Sequence, residues 1–167
     1  MFSEIKVSEI QENAIDLIGD QWMLITAGTK DHFNTMTASW GGLGFLWNVP
    51  VAFIFIRPHR HTYKFVESNP FFTLSFFEPK QKNILTYCGS HSGKDVDKIK
   101  ECGLIPLETK NGSIYFEQAR VVLECSKLYH DDIDPGHFAD KMIQRNYPNK
   151  DYHRMYIGKI VKCWERK

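Results

Sequence analysis

Arg57 and Arg60 stand three residues apart, directly after an apolar run that predicts a strand. A guanidinium presents a planar fork of N–H donors that matches phosphate oxygens, and the start of a helix adds backbone N–H donors. Thr62 is a suitable N-cap for a helix that follows. The segment is therefore a candidate phosphate site, with a solvated basic turn as an equal alternative. His59 and His61 have the spacing of metal ligands, but no third ligand is nearby, so a metal site is a weak interpretation.

A second polar stretch covers residues 34–40 and carries hydroxyls at alternate positions, Thr35, Thr37 and Ser39. Because side chains alternate across a strand, Thr37 and Ser39 are expected on one face. A planar ligand such as a flavin needs an apolar slot for its ring and polar groups along its tail. Spacing alone favours the simpler alternative, an exposed strand face rich in Thr and Ser.

A polar loop precedes a predicted helix over 96–102 and contains Ser92, Gly93, Lys94 and Asp95. Ser92 is expected to cap that helix, with Asp95 near its positive end, and this structural role is sufficient by itself. The same residues could instead form a second anion-binding lobe. The spacing is not that of a P-loop, and no G-x-G-x-x-G follows a strand, so neither a P-loop nor a Rossmann domain is indicated.

Other chemistry-bearing residues favour structural interpretations. No G-x-S-x-G elbow is present, so a hydrolase is unsupported. The four cysteines, Cys88, Cys102, Cys125 and Cys163, form no C-x-x-C pair, which makes a zinc or iron–sulfur site a weak interpretation. Cys88 is a possible redox thiol, although a buried, inert role is favoured. The N-terminal segment has charges and no apolar core of a signal peptide, so reduced thiols and a cytoplasmic location are expected.

The elements that position these residues are mostly strands, predicted over 22–28, 33–40, 51–56, 71–77, 119–125 and 155–164. Asn111-Gly112 predicts a hairpin, short helices are predicted over 63–68, from 79 to 88 and near 137–145, and the glycine-rich segment 41–44 is predicted to be a loop. No regular βαβ alternation and no repeat is present. The pattern predicts a mainly β protein, a single domain over 1–167 built as an antiparallel barrel with short peripheral helices.

Composition excludes several classes of protein. The chain has 167 residues, of which 43% are hydrophobic and 25% charged, within the usual globular range. Its net charge is +1, so there is no electrostatic reason to expect a nucleic-acid partner or an anionic membrane surface. No apolar run approaches the roughly 20 residues of a membrane span.

In their order and spacing these segments resemble the flavin-reductase-like, FMN-binding split-barrel family, and most of all its short flavoredoxin-type members. The resemblance runs from about residue 22 to 164 and rests on four features: Asn34-x-Met-Thr-x-Ser-Trp40 with its glycine-rich continuation, Trp47 and Pro50, Arg57-Pro-x-Arg-x-Thr62, and Ser92-Gly-Lys-Asp-x-Asp-Lys98.

The resemblance implies an FMN-binding split barrel that forms a homodimer, with the cofactor at or near the dimer interface. It assigns the 34–40 strand to the ring and ribityl chain, a phosphate cluster to the strand end, and closure of the site to the 92–95 loop. Lys94 stands where many relatives carry Arg, which keeps the charge and loses the planar fork. The implied cofactor residues are Asn34, Met36, Thr37, Ala38, Ser39, Trp40, Arg57, Arg60, His61, Thr62, Ser92, Gly93, Lys94 and Asp95.

The function implied is that of an FMN-dependent oxidoreductase of the flavin reductase type, which passes electrons from NAD(P)H through flavin to an acceptor. Because flavin performs the redox chemistry, no catalytic acid–base residue and no metal is expected. Two alternatives stay open. One is a flavoredoxin-like electron-transfer protein reduced by a protein partner, and the other is a non-enzymatic protein that binds flavin, haem or another planar ligand.

Overall fold

The computed structural model describes all 167 residues. The strands are β1 (Phe2–Glu4), β2 (Met23–Thr29), β3 (His32–Ala38), β4 (Gly41–Leu46), β5 (Val49–Ile56), β6 (Phe71–Phe76), β7 (Pro106–Glu108), β8 (Ile114–Phe116), β9 (Val121–Asp132) and β10 (Arg154–Arg166). The α-helices are α1 (His61–Ser68), α2 (Lys82–Ser90) and α3 (Lys98–Glu101). A π-helical turn covers Asp16–Asp20, and short 3₁₀ helices cover Val7–Glu9, Pro79–Gln81, Pro135–His137 and Lys141–Asn146. None of these helices is both long and apolar enough to cross a membrane.

The central element is one antiparallel sheet of eight strands, with the order β3-β2-β6-β9-β10-β5-β4 and β1 beside the far half of β10. The first half of β10 pairs with β5 and its last residues pair with β1. Two irregularities in its pairing with β9, one of them at Gly158, bend the strand between these two parts. A Cβ at Gly158 would lie 2.6 Å from Cζ of Phe72, so the bend brings the strand directly onto a core ring. The sheet is not closed, since β3 and β4 are its two ends.

The hydrophobic core lies on both faces of this sheet. Neighbouring residues of β2 point to opposite faces, so Ile25 joins the larger cluster and Leu24 the smaller one. Helix α1 covers the larger cluster with Phe65, whereas α2 covers the smaller one with Leu85. Each such fully buried side chain contributes about 1.5–3 kcal/mol to folding. The two helices are thereby fixed on opposite faces of the strands that they flank.

Most sequence expectations for the fold are confirmed. Every predicted strand is present, β9 and β10 being longer than predicted, and the mainly β antiparallel class with short helices is confirmed. The hairpin at Asn111-Gly112 joins β7 to β8, and Gly112 has the left-handed φ of 81° that such a turn requires. The single-domain interpretation stays a prediction.

The prediction that residues 41–44 form a loop is wrong, because Gly41–Leu46 is an edge strand that pairs with β5 along its whole length. Gly41 is needed for close packing within the sheet, because a Cβ at this position would lie 2.7 Å from the carbonyl oxygen of Phe53. The turn that follows uses Trp47 and Asn48, both with left-handed φ, at 51° and 59°. Two such residues in succession are characteristic of a tight two-residue hairpin.

Three local predictions about helices are also wrong. Thr62 lies inside α1, and the N-cap position belongs to Arg60. Ser92 does not cap α3, because a turn intervenes and Asp97 caps that helix through bonds from the amides of Ile99 and Lys100, both 3.1 Å. The helix predicted near 137–145 is instead a pair of single turns, Pro135–His137 and Lys141–Asn146. In the last two cases the side chains of Asp97, Asp134 and Asp140 accept bonds from backbone amides at the start of each helical segment and so set where it begins.

Candidate functional site

An open cavity of about 370 Å³ lies where β3 leaves the sheet beside the end of β5. Seven of its lining residues are among those that the sequence assigned to a cofactor: Met36, Thr37, Ala38, Ser39, Trp40, Arg57 and Arg60. The three others are Phe55, His59 and His153. The fold therefore brings the 34–40 strand and the arginine segment to one place.

A smaller cavity of about 180 Å³ adjoins the first and shares Met36, His59 and Arg60 with it. Its other walls come from β3, from the start of α1, from the end of α2 with the loop after it, and from α3: Asn34, His61, Thr62, Gly89, Ser90, His91, Ser92 and Lys98. Met36 is its one hydrophobic residue. The two cavities form a continuous site with an open, partly apolar end and a polar end.

Arg60 lies at the junction of the two cavities. Its Nη1 donates to the carbonyl oxygen of Gly89 at 3.1 Å, while its Nη2 is buried and has no partner. Burial lowers the pKa of Arg60, and the neighbouring charge of Arg57 lowers it further. A buried guanidinium N–H without an acceptor is costly unless a ligand accepts from it. The junction is thus a candidate anion-binding point.

Arg57 is held differently. Its Nη1 donates to Oδ2 of Asp151 at 2.6 Å, its Nη2 donates to the carbonyl oxygen of Asn146 at 2.8 Å, and its guanidinium lies 5.1 Å from the ring centre of Tyr147. The bond from Arg57 holds the pKa of Asp151 below its ordinary value. Asp151 also lies 3.4 Å from Nδ1 of His59. Arg57 therefore ties residues 146–151 to the cavity wall and has its charge matched within the protein.

The hydroxyls of β3 divide into anchored and free ones. Thr35 is buried and bonded to the hydroxyl of Thr26 at 2.9 Å. Thr37 lines the open cavity, but its hydroxyl donates to the carbonyl oxygen of Leu85 at 2.5 Å and so fastens α2 to β3. Ser39 lines the same cavity and makes no side-chain bond to the protein. Of the three alternating hydroxyls, Ser39 is the one available to a ligand.

The 92–95 loop is divided between two cavities. Gly93 lies directly against Asn34, whose Oδ1 a Cβ at position 93 would overlap, and Asn34 in turn donates to the hydroxyl of Thr62 at 2.8 Å. Ser92 faces the polar cavity, whereas Gly93, Lys94 and Asp95 line a separate cavity of about 400 Å³ on the other side. The structure therefore does not bring Lys94 and Asp95 to the arginine cavity.

Lys98 is a site residue that the sequence analysis left out of its assignment. Its side chain is only 4% exposed, and its Nζ donates to the carbonyl oxygens of Thr35 at 3.0 Å and Cys88 at 2.8 Å. No carboxylate neutralises it, and burial lowers the pKa of Lys98 to about 8. It also faces the polar cavity. The sequence contained no signal for this burial, because Lys98 stands among other lysines in a helix that looks solvated.

Further positive charge surrounds His61. Burial lowers the pKa of His61, and the charges of Lys64, Lys98 and Lys94 lower it further. Cations that depress one another's protonation mark a place where a bound anion would be stabilised. Lys94 thus contributes to the potential of the site from behind the loop.

His153 is a second residue that the sequence analysis missed. It is 8% exposed, its Nδ1 lies 2.9 Å from the hydroxyl of Tyr147, and its ring centre is 5.1 Å from that of Trp40. Burial and then the charge of Arg57 lower the pKa of His153 to about 4. At neutral pH His153 is therefore an uncharged wall of the open cavity.

Comparison with known proteins identifies the family. The model of the flavin reductase like domain matches residues 16–167. The chain belongs to the flavin reductase-like family. Among curated proteins, no sequence matches it significantly.

Solved structures agree on the fold. An FMN-binding domain of a flavin reductases-like enzyme from Shewanella baltica superposes with a TM-score of 0.71 at 17% identity, over 99% of this chain and 77% of that one. Flavoredoxin of Desulfovibrio vulgaris gives 0.70 at 19% identity, over 98% and 78%. An NADH:FAD oxidoreductase of Streptomyces globisporus gives 0.65 at 16% identity, over 87% and 74%. The split-barrel fold expected from the sequence is confirmed.

Proposed function

We propose that the protein binds FMN across the two cavities, with the phosphate in the polar cavity and the ring in the open one. The observation that carries this proposal is made at Arg60, which lines both cavities and whose buried Nη2 has no acceptor within the protein. A phosphate oxygen would supply that acceptor. The residues present therefore fit the group.

The polar cavity has the donors that a phosphate needs. Arg60 offers Nη2, the first turn of α1 at His61 and Thr62 offers N–H groups without intrahelical acceptors, and Lys98 adds a buried positive charge. A doubly charged phosphate would offset both the cost of burying Lys98 and the repulsion between it and Arg60. A neutral ligand would leave both costs in place.

The open cavity suits a planar ring with polar edges. Met36, Ala38, Trp40 and Phe55 supply apolar surface, and Ser39 adds a free hydroxyl. Thr37 holds β3 against α2, so its role is to fix the wall of the cavity. Asn34 has the same kind of role, because it holds Thr62 beneath the polar end.

We infer that the protein is an oxidoreductase that uses NAD(P)H as donor. Bound FMN supplies hydride and electron transfer, while the protein binds and orients it. None of the cavity residues has to act as an acid or base, and His153 is held neutral. Similarity in fold to the Streptomyces NADH:FAD oxidoreductase supports a nicotinamide donor.

Similarity in fold to flavoredoxin supports a second candidate function, in which a protein partner supplies the electrons. The two functions differ in one measurable property. A nicotinamide-dependent reductase is reduced directly by NADH or NADPH, whereas a flavoredoxin-like protein is not.

We also propose that the working form is a homodimer. Strand β4 is an unpaired edge of the sheet, and the turn end of the β4–β5 hairpin carries Phe45 and Trp47, which are 70% and 55% exposed. Monomers rarely leave such aromatic groups beside a sheet edge open to water. A second copy would cover them, and light scattering after gel filtration tests this directly. The cytoplasmic location stays a prediction, with four free cysteines in its support.

Reconstitution followed by anaerobic mixing tests the function. Full-length protein incubated with FMN and desalted should be yellow and retain about one flavin per chain. Anaerobic stopped-flow mixing with NADH or NADPH should bleach the flavin absorbance. If the flavin is retained but is bleached only by a chemical reductant, the electron-transfer function is favoured over the reductase. Flavin lost completely on desalting, together with no quenching of flavin fluorescence in a titration, would overturn the FMN proposal.

A further inference from the structure

Cys88 and Cys102 face each other on the back of the polar cavity. Cys88 is buried near the end of α2, Cys102 follows the last residue of α3, and their Sγ atoms are 3.9 Å apart. Neither thiol takes part in the proposed binding of FMN. Two facing cysteines on two short helices are a pair that a disulfide could join with small movements of the chain.

We propose that Cys88 and Cys102 form a reversible disulfide when the protein meets a low-molecular-weight disulfide such as glutathione disulfide. The sulfur atoms need to approach by about 2 Å to reach the length of an S–S bond. Cys102 belongs to the end of a short helix and precedes Gly103, whose left-handed φ of 61° marks a chain reversal with nothing within 4 Å of its Cβ position. The space beside Cys102 on the side of Gly103 is therefore open.

Accessibility determines the order of events. Cys88 is completely buried, whereas Cys102 is partly exposed. Burial raises the pKa of Cys88 to about 12, and it raises that of Cys102 as well, with the nearby Cys88 thiol and Lys98 opposing the rise at Cys102. Cys102 therefore meets the oxidant first and supplies the first thiolate.

The exchange balances in two steps. The Cys102 thiolate attacks one sulfur of glutathione disulfide, whose S–S bond breaks and releases one glutathione thiolate. The Cys88 thiol then attacks the Cys102 sulfur, and its proton passes to the second glutathione thiolate as that thiolate leaves. The protein loses two electrons and two protons. Glutathione disulfide gains both electrons, and the two released thiolates recover the protons.

The disulfide would close a covalent loop around residues of the polar cavity. The closed segment, 88–102, contains Ser92 and Lys98. Two contacts already bind this segment together, from Nζ of Lys98 to the carbonyl oxygen of Cys88 at 2.8 Å and from the amide of Cys102 to the carbonyl oxygen of Lys98 at 3.0 Å. The bond would therefore make permanent an arrangement that is now held by hydrogen bonds.

The other two cysteines provide an internal comparison. Cys125 and Cys163 are both buried, in β9 and β10, where Cys125 pairs in register with Ile160 and Cys163 with Leu123. Neither is exposed to an oxidant in solution, and burial raises the pKa values of both. Only the pair at the helix ends combines proximity with access.

Thiol titration, peptide mapping and thermal unfolding test the proposal on the full-length protein. After incubation with glutathione disulfide at mildly alkaline pH, two of the four thiols should disappear. Mass spectrometry of a digest without reduction should show a peptide that joins Cys88 to Cys102. Because a closed loop of about 15 residues restricts the unfolded chain, Tm should rise by about 6–12 °C, and dithiothreitol should reverse the rise.

Variants separate this pair from a general effect of oxidation. Cys102→Ser is the informative change because its site is partly exposed, so folding should survive, and it should abolish both the loss of two thiols and the rise in Tm. Cys163→Ala should keep both. A stable glutathione adduct on Cys102 without closure, or a Cys125–Cys163 link in place of the Cys88–Cys102 link, would overturn the proposal.

Discussion

The guanidinium of Arg60 donates to the carbonyl oxygen of Gly89 through one terminal nitrogen, at 3.1 Å, and leaves the other terminal nitrogen buried without an acceptor. Gly89 belongs to α2, whereas Arg60 occupies the N-cap position of α1. The bond thus joins two helices that cover opposite faces of the sheet. The bond gives Arg60 a positioning role, and the free Nη2, on a residue that lines both cavities, supports the binding role that we propose for it.

Arg60→Ala should weaken FMN binding by about 1.5–3 kcal/mol, the value of a charged hydrogen bond, which corresponds to a roughly 10- to 150-fold rise in Kd. The FMN affinity of Arg60→Lys should lie between those of the wild type and Arg60→Ala, since the charge is kept and the planar fork of donors is lost. Fluorescence titration of FMN measures both. An Arg60→Ala variant with wild-type affinity would exclude the phosphate assignment.

Arg57→Ala should behave differently. Its guanidinium is matched by Asp151 and holds the chain at Asn146, so its removal leaves a carboxylate without its partner and frees the 146–151 segment. We expect a loss of stability on urea unfolding together with weaker FMN binding. Asp151→Asn should produce a similar loss of stability, because it breaks the same ion pair from the other side. If Arg57→Ala weakens FMN binding with stability unchanged, the sequence assignment of Arg57 to the phosphate is the better one.

The pH dependence of FMN affinity should reveal Lys98. Its pKa of about 8 in the free protein is low because the charge is buried, and a phosphate in the polar cavity would raise it. FMN therefore binds the protonated form better, and affinity should fall as pH rises above about 8, by at most tenfold per pH unit because one proton is linked. Titrations between about pH 7 and 9.5 lie above the second ionisation of a phosphate, near 6.

Two lysine variants make that experiment specific. Lys98→Met removes the titrating group and should give an affinity that is weaker at pH 7 and nearly flat up to pH 9.5. Lys100→Met, on the exposed side of the same helix, should keep the wild-type profile. A profile of Lys98→Met that still falls above pH 8 would assign the effect to another group.

The parts of the fold that the sequence predicts are those that depend on neighbours in the chain. Alternating and continuous apolar runs located the strands, and Asn111-Gly112 located a hairpin whose geometry is set by two residues. The loop prediction for residues 41–44 was wrong because the structure there depends on a contact between two strands. Gly41 is required by the close approach of Phe53 on the paired strand, and that partner is visible only in the folded protein.

The site shows the same division. The sequence brought out the arginines and the β3 strand, because Arg and hydroxyl side chains have recognisable ligand chemistry. It did not identify Lys98 or His153, because what distinguishes them is burial under residues distant in the chain. Nor could it separate Arg60 from Arg57, since the partner of Arg57 is 94 residues away.

Gly93→Ala should disturb the polar cavity without changing any charge. A Cβ at this position would overlap the Asn34 amide, which supports Thr62. Overpacking of this kind costs about 1–3 kcal/mol of stability, and we expect FMN affinity to fall as Asn34 moves. Gly19→Ala is the matched control, since Gly19 is exposed and has nothing within 4 Å of its Cβ position. Equal effects of the two substitutions would mean that the loop adjusts freely.

His153 should make the protein sensitive to mild acid. In the folded state its pKa is about 4, against 6.5 for an ordinary histidine, because burial and the charge of Arg57 oppose protonation. The unfolded chain therefore binds more protons than the folded one between these values, so stability falls as pH drops from about 6.5 to 4. The shift corresponds to about 3 kcal/mol at the acid end of the window.

Urea unfolding at several pH values across that window measures the effect. His153→Gln cannot be protonated, yet it keeps a polar group near the hydroxyl of Tyr147, so its free energy of unfolding should depend on pH less steeply by one proton. Carboxylates titrate in the same range and act equally on both proteins, so the difference between the two curves isolates His153. Parallel curves would show that His153 accepts a proton in the folded state, and the open cavity would then gain a positive charge in mild acid.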